Sequence, residues 1–506
     1  MKHVQWLTGL LAALSAFLNT GPSHAEPKNM NMIKILLGTT EQSQYAETAP
    51  ADILSTFNAA VLGSLFKIGP SFQLRANLVE SWHWDYKTKT YELTLRRDIM
   101  FHNGRQATAA DLEYSLLRGF FSSERSFYRL YLGNIEGLDA AAGQTTFRSG
   151  LVSGVQVTGP HTVRIKLHTP NPAFLHSLVD GYFSLVPREA INDDNTTWRD
   201  KPVGSGPFRV TQAFHDGRVV VEQVAAPHRQ ITFYTKDSEQ RYDVSLVDPP
   251  HQVTGEYQTH LLNLPASVWT MRFSNQHPLA QNEHFRRAVS YLVNQEALAA
   301  GLSGCRPTVE MLPHHFWGRA HLAGRHDLKR AREELALVPD SLKAAPVEIS
   351  VFSGAQMPRY RAEILRRLET QFRAVGLQLR ISTSRDKFFD DESAKKYAIR
   401  ISGIVTDYVD PLVMFSGFSH DSPYKNLRPM GDSAFDRLYS EAVGIEAQDQ
   451  KIEAVKIISR LVAESPIAIP LVEENQVIHY RNACVESLGD QHQPLTLVVE
   501  NIRFRN

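Results

Sequence analysis

The chain carries no excess charge and almost no cysteine. Lys plus Arg and Asp plus Glu both number 54 among 506 residues, and the only thiols are Cys305 and Cys484. A nucleic-acid partner normally demands a basic surface, so the balanced charge argues against one. Two thiols this far apart make no zinc-site spacing. Also missing are H-E-x-x-H, G-x-S-x-G and a paired-glutamate pattern, which argues against an exported hydrolase. The G-S-G-P around Ser205 is not a nucleophile elbow, and no His or Asp partner is indicated. No catalytic residue is therefore assigned.

The apolar run near the start, Leu7 to Phe17, is about half the roughly 20 residues a membrane span needs. It follows the basic start Met1-Lys2-His3 and precedes Gly21, Pro22 and the small pair Ser23 and Ala25. This is the layout of a secretory signal peptide over residues 1–25, cleaved after Ala25. No cysteine lies near the cut, so no lipid anchor is expected. The expectation is a soluble, monomeric, exported protein whose simplest home is a bacterial periplasm. In that oxidising compartment Cys305 and Cys484 are expected to pair, a bridge worth about 4–5 kcal/mol in the loop-entropy model. The alternative is two buried thiols.

What is present is ordinary globular composition, 42% hydrophobic and 21% charged, in a chain long enough for two to four domains. No internal repeat or low-complexity tract interrupts it. Tyr91 to Leu95 and Thr162 to Leu167 alternate apolar and polar residues as half-buried strands do. Thr108 and Asp111 have capping-box spacing and open a helix through Leu112, Leu116 and Leu117. From about residue 280 the pattern changes. Phe285, Ala288, Val289, Leu292 and Val293 form the stripe of a core-facing helix. Val347–Val351 reads as a strand, Tyr360 to Phe372 as an amphipathic helix, and Leu377–Ile381 and Ala398–Val405 as further strands. Strand, helix, strand predicts a parallel βαβ unit, and ligands of such sheets gather at the carboxyl ends of the strands. The stretch S-G-I-V-T-D-Y-V-D-P, Ser402 to Pro411, places Asp407 just past such an end. Asp410, before Pro411, reads as a turn or cap residue.

Eight segments, in order, resemble one known family. They are L-V-E-S-W-H-W (78–84), Y-E-L-T-L-R-R-D-I-M-F-H-N-G (91–104), T-A-A-D-L-E-Y-S-L-L-R (108–118) and V-R-I-K-L-H-T-P-N-P-A-F-L (163–175). V-G-S-G-P-F (203–208), F-R-R-A-V-S-Y-L-V-N-Q-E-A-L (285–298), T-D-Y-V-D-P (406–411) and P-I-A-I-P-L (466–471) follow. The family is the oligopeptide/dipeptide class of extracytoplasmic solute-binding proteins of ABC importers, the peptide/nickel-binding family.

The resemblance implies an α/β, periplasmic-binding-protein-like fold of two lobes joined by a hinge. The first lobe would comprise residues 26–70, 190–275 and 482–506, with an extra α+β domain inserted at 71–189. The second lobe would be 276–481. The implied function is a non-enzymatic receptor that captures short peptides, or peptide-like amine-bearing solutes, and delivers them to an inner-membrane permease. No cofactor is implied. Local physics fits some of the motifs: Gly104 suits a tight turn, Phe101 a core position, and Gly204, Gly206 and Pro207 a stiff bend.

By the same resemblance Asp407 would pair with the ligand's α-ammonium; the competing reading is a helix cap. Tyr128 and Tyr131 fall near a family pocket tyrosine, or pack within the inserted domain. Phe388 and Phe389 would offer an aromatic wall, or core. The family often has Trp where Ile404 stands, lining a side-chain pocket, and in some members Arg where Ile401 stands, binding the ligand carboxylate. The neighbouring Arg400 would point to the opposite strand face. The segment Lys236 to Val244 is shorter than the family's. Some relatives bind nickel chelates or haem, and His314, His315, His321 and His326 fall within thirteen residues beside Trp317. Their spacing is not a helical H-x-x-x-H and no acid lies between them, so no metal ligand is assigned. A nickel-chelate or haem binder on the same fold, or a sensor without transport, are the alternatives.

Overall fold

The computed structural model describes residues 32–37, 51–69, 73–123, 125–169, 171, 174–179, 181–226, 228–235, 241–247, 256–352, 357, 359–383, 391–405, 410–420, 433–445, 447–464, 466–493 and 496–505. Asp407, Phe388 and Phe389 lie outside these residues.

Strand β1 (Met32–Leu36) enters a mixed sheet between Gln230–Tyr234 and Val244–Ser245, parallel to both. Arg218–Gln223 and Phe208–His215 continue that edge as antiparallel neighbours. A separate four-stranded antiparallel sheet lies within the stretch expected to be inserted. It consists of β2 (Val79–Asp85), β3 (Thr90–Leu95), β4 (Val155–Gly159) and β5 (Thr162–Lys166), ordered β2-β3-β5-β4. On β3 the alternation predicted from sequence places Tyr91, Leu93 and Leu95 inside. Helix α1 (Ala109–Leu117) opens with the expected capping box of Thr108 and Asp111. Helix α2 is Arg125–Leu132.

This smaller sheet has no core of its own. Leu93 and Val163 belong to the same buried cluster as Ile33, Val61, Phe233, Ile478 and Leu497. The turn at Gly104 has φ +86°, with Phe101 buried beneath it. The Gly204–Pro207 bend lies so close to the end of helix Ala51–Val61 that a Cβ on Gly204 would sit 2.2 Å from the Leu62 Cα. Only glycine fits there.

Strand β6 (Tyr257–Phe273) then crosses into a second assembly. Helix α3 (Glu283–Leu292), β7 (Cys305–Pro307), β8 (Val347–Val351), α4 (Arg359–Arg373), β9 (Leu379–Thr383) and β10 (Ile399–Val405) follow. After them come α5 (Ser433–Gly444), α6 (Gln448–Glu464) and β11 (Ala468–Arg481). Strand β8 pairs in parallel with β9 and β10, as the βαβ pattern predicts, and β10 runs antiparallel to β6. The Asn282 side chain caps α3 by accepting from the Phe285 N–H, and the predicted stripe faces inward. Ile364, Leu365, Leu368 and Phe372 are the buried side of α4.

Two clusters fill this second part. Trp269, Met271, Phe285, Ile349 and Ile401 lie on one face of the sheet; Val268, Leu312, Phe316, Phe415 and Ile458 lie on the other. The antiparallel pair β6 and β11 runs through both halves of the molecule. One sheet, ordered β9-β8-β10-β6-β11 and then Val244–Ser245, β1 and their neighbours, joins the two lobes.

One expectation is corrected here. No disulfide joins Cys305 to Cys484. Cys305 on β7 pairs in register with Glu474 on β11, whereas Cys484 follows the far end of β11 at Arg481. Glu474 and Arg481 are seven residue steps apart along the strand, roughly 23 Å at about 3.3 Å per residue, and a bridge tolerates about 7 Å between Cα atoms.

Candidate ligand cleft

The boundary between the lobes can be read along β6 and β11. Trp269 and Val472 belong to the second-lobe core, whereas Leu262 and Ile478 belong to the first. Ser267 and Glu474 pair with each other between those limits. Ser267 also pairs with Val405, the last residue of β10 and two positions before Asp407. The sequence-predicted strand end therefore adjoins the inter-lobe boundary.

Two consecutive acids on β11 organise this boundary. Neighbouring strand residues point to opposite faces, so Glu473 and Glu474 enter different surroundings. Glu474 accepts from Arg361 Nε at 2.6 Å and Nη2 at 2.8 Å, and from Ser267 Oγ at 2.5 Å. Arg361 projects from the first turn of α4, which follows the carboxyl end of β8, and its guanidinium lies 5.6 Å from the Trp269 ring centre. The arginine side chain keeps 25% exposure while Glu474 keeps 4%. Burial pushes the nearby Cys305 thiol up to about 12, with the Glu474 charge adding to the rise. The Tyr360 hydroxyl is raised well above its usual range by the same two causes.

Glu473 faces the other way, in a row with Val268 and Ile404. It accepts from His314 Nδ1 at 2.6 Å and from Arg319 at 3.3 Å, and Arg319 also reaches Glu310. Glu310 further accepts from the backbone N–H groups of Ala320 and Leu322. The network pins the 310–322 segment to β11.

The histidines of that segment do not converge. His326 contacts the Leu292 carbonyl oxygen and His321 sits in a left-handed backbone conformation. His315 is pushed down to about 4 by burial, then by His314 and Arg319. Among the described residues no three His, Cys, Asp or Glu side chains are grouped as metal ligands.

The other expected positions divide. Ile404 is half-buried against the Val268 cluster, with Trp317 nearby. Ile401 is fully buried in the other core and could not meet a ligand, while Arg400, on the opposite face, is 1% exposed beside Arg272. Tyr128 is 1% exposed, enclosed by Tyr182, Phe183 and Gly119, so its role is packing and not ligand contact. Tyr131 is half-buried, its ring against Phe183. Asp410 makes the expected turn: its Oδ1 accepts the Leu412 N–H at 2.9 Å. Arg361, Glu474 and Glu473 were not singled out from sequence. The glutamates' one visible sign is E-E directly after the apolar run Ala468 to Val472.

The model of the bacterial extracellular solute-binding proteins, family 5 (Middle), matches residues 73–228 and 233–426. The chain belongs to this family.

Curated family 5 relatives include the dipeptide-binding protein DppE of Bacillus subtilis, 22% identical over 85% of this chain and 84% of that one. The probable ABC transporter periplasmic-binding protein SapA of Escherichia coli is 20% identical over 94% and 93%. Among solved structures, a periplasmic oligopeptide-binding protein of Borrelia burgdorferi superposes with TM-score 0.77 at 18% identity. It covers 94% of this chain and 100% of that one. The murein tripeptide binding protein MppA of Escherichia coli gives 0.76 at 13%, over 94% and 99%. These likenesses establish the two-lobe fold of family 5.

Proposed function

We propose that this chain is the periplasmic receptor of an ABC importer, capturing short peptides or peptide-like amine-bearing solutes between its lobes for an inner-membrane permease. The observation that carries the reading is the position of the β10 end, on the inter-lobe boundary and beside the Ser267–Glu474 pair. Relatives named for dipeptides and oligopeptides support the ligand class. Asp407 would hold the amine, because a cation withdrawn from water needs a counter-charge. Ile404 and Tyr131 would border side-chain space, and Phe388 would add an aromatic wall. Ligand bridging both lobes would favour the closed state by population shift.

The same reading takes residues 1–25 as a cleaved signal peptide, the mature protein as an unanchored monomer, and 71–189 as the insertion. It assigns no enzymatic step and no nucleic-acid partner. Arg361, held by Glu474 opposite Ser267, is a cation at the same inter-lobe boundary. A nickel-chelate or haem cargo finds less support, because His314 is engaged by Glu473 and His326 by a backbone carbonyl.

Mass spectrometry of ligands released from the purified protein, with metal analysis in parallel, tests the proposal. The expected result is a set of short peptides or amine-bearing solutes. Stoichiometric nickel or haem without peptide would overturn it.

A further inference from the structure

Arg361 already has a carboxylate. Glu474 meets its guanidinium through two contacts, 2.6 and 2.8 Å, the fork-on-fork geometry with which arginine recognises a ligand carboxylate. Glu474 is not a loose rim residue. It is 4% exposed and fixed by Ser267, and the Trp269 ring lies near the guanidinium. Nothing on β10 serves instead: Ile401 is buried in apolar core, and Arg400 is 1% exposed on the opposite strand face beside Arg272. A ligand carboxylate entering here would stand beside Glu474 over a single guanidinium, and two like charges held that close repel.

We propose that Glu474 permanently fills the carboxylate subsite of the cleft, so that the protein selects amine-bearing solutes whose opposite end is uncharged. Peptide amides, esters and cyclised ends are the chemical class. This rests on the peptide-type reading above and narrows it.

The test uses a panel of tri- and tetrapeptides, each as free acid and as C-terminal amide, titrated calorimetrically into the purified protein. The wild type is expected to bind the amides at least tenfold more tightly than the acids. Glu474→Gln should erase or reverse that preference, because Arg361 then meets the ligand carboxylate directly. The wild-type ratio decides even where the variant folds poorly. Equal or tighter binding of the free acids by the wild type overturns the proposal while leaving peptide capture intact. Failure of both forms to bind overturns peptide capture, and the proposal with it.

Discussion

Lys451 reaches from α6 to Asp410, its Nζ 3.6 Å from the carboxylate, and both side chains are less than a tenth exposed. The pair ties the chain just after the β10 loop to a helix of the second lobe. Tyr439, half-buried against the Val268 cluster, has its hydroxyl raised by burial and then by the Asp410 charge. Removing one partner of a buried pair strands the other. Lys451→Met should therefore cost about 3 kcal/mol in urea denaturation. Lys451→Met with Asp410→Asn should recover most of that, because Asn still accepts the Leu412 N–H. A single-variant loss below about 1 kcal/mol, the range of exposed pairs, would show the pair to be dispensable.

The amine clamp is checked by ligand chemistry. Asp407→Asn should weaken binding of free-amine peptides by tenfold or more, since it removes a charge worth at least about 1.4 kcal/mol there. The N-acetylated forms of the same peptides should be unaffected. Parallel loss for both series would assign Asp407 a structural part only.

The thiols make a separate prediction. With no bridge between them, reducing agent should leave the melting temperature unchanged. A thiol held at about 12 carries little thiolate, so Cys305 should alkylate far more slowly than a model thiol at pH 8. A non-reduced peptide map that links the two cysteine fragments would refute this.

Much of the second lobe was legible because its signals are local. The Val347 strand, the α4 stripe and the β10 run each depend on periodicity within a few residues. Cap chemistry was equally readable at Thr108, whose partner Asp111 lies three residues away. The site was less legible, because its contacts join distant positions. Glu474 meets a residue 113 positions away, and Glu473 one 159 positions away. Nothing near either glutamate in sequence announces the arginine or the histidine. The cysteine pairing failed for the converse reason: compartment chemistry makes a bridge favourable, but strand register sets the distance. Tyr128 shows the same limit, since a tyrosine on a short helix reads alike whether it faces a cleft or Phe183.

His315 supplies the pH dependence. It lies between His314, Phe316 and Arg319, and burial followed by those two basic neighbours pushes it down to about 4 from an ordinary 6.5. Between these values the unfolded chain binds the proton and the folded one does not. Stability is therefore complete above about pH 6.5 and is lost as pH falls toward 4. The gap corresponds to about 3 kcal/mol, reduced to about 2 for a side chain that keeps some contact with water. His315→Gln should flatten the urea midpoint between pH 7 and 4 relative to wild type, the ligand-free protein being used for both. An identical pH slope in the two proteins would place the acid sensitivity elsewhere.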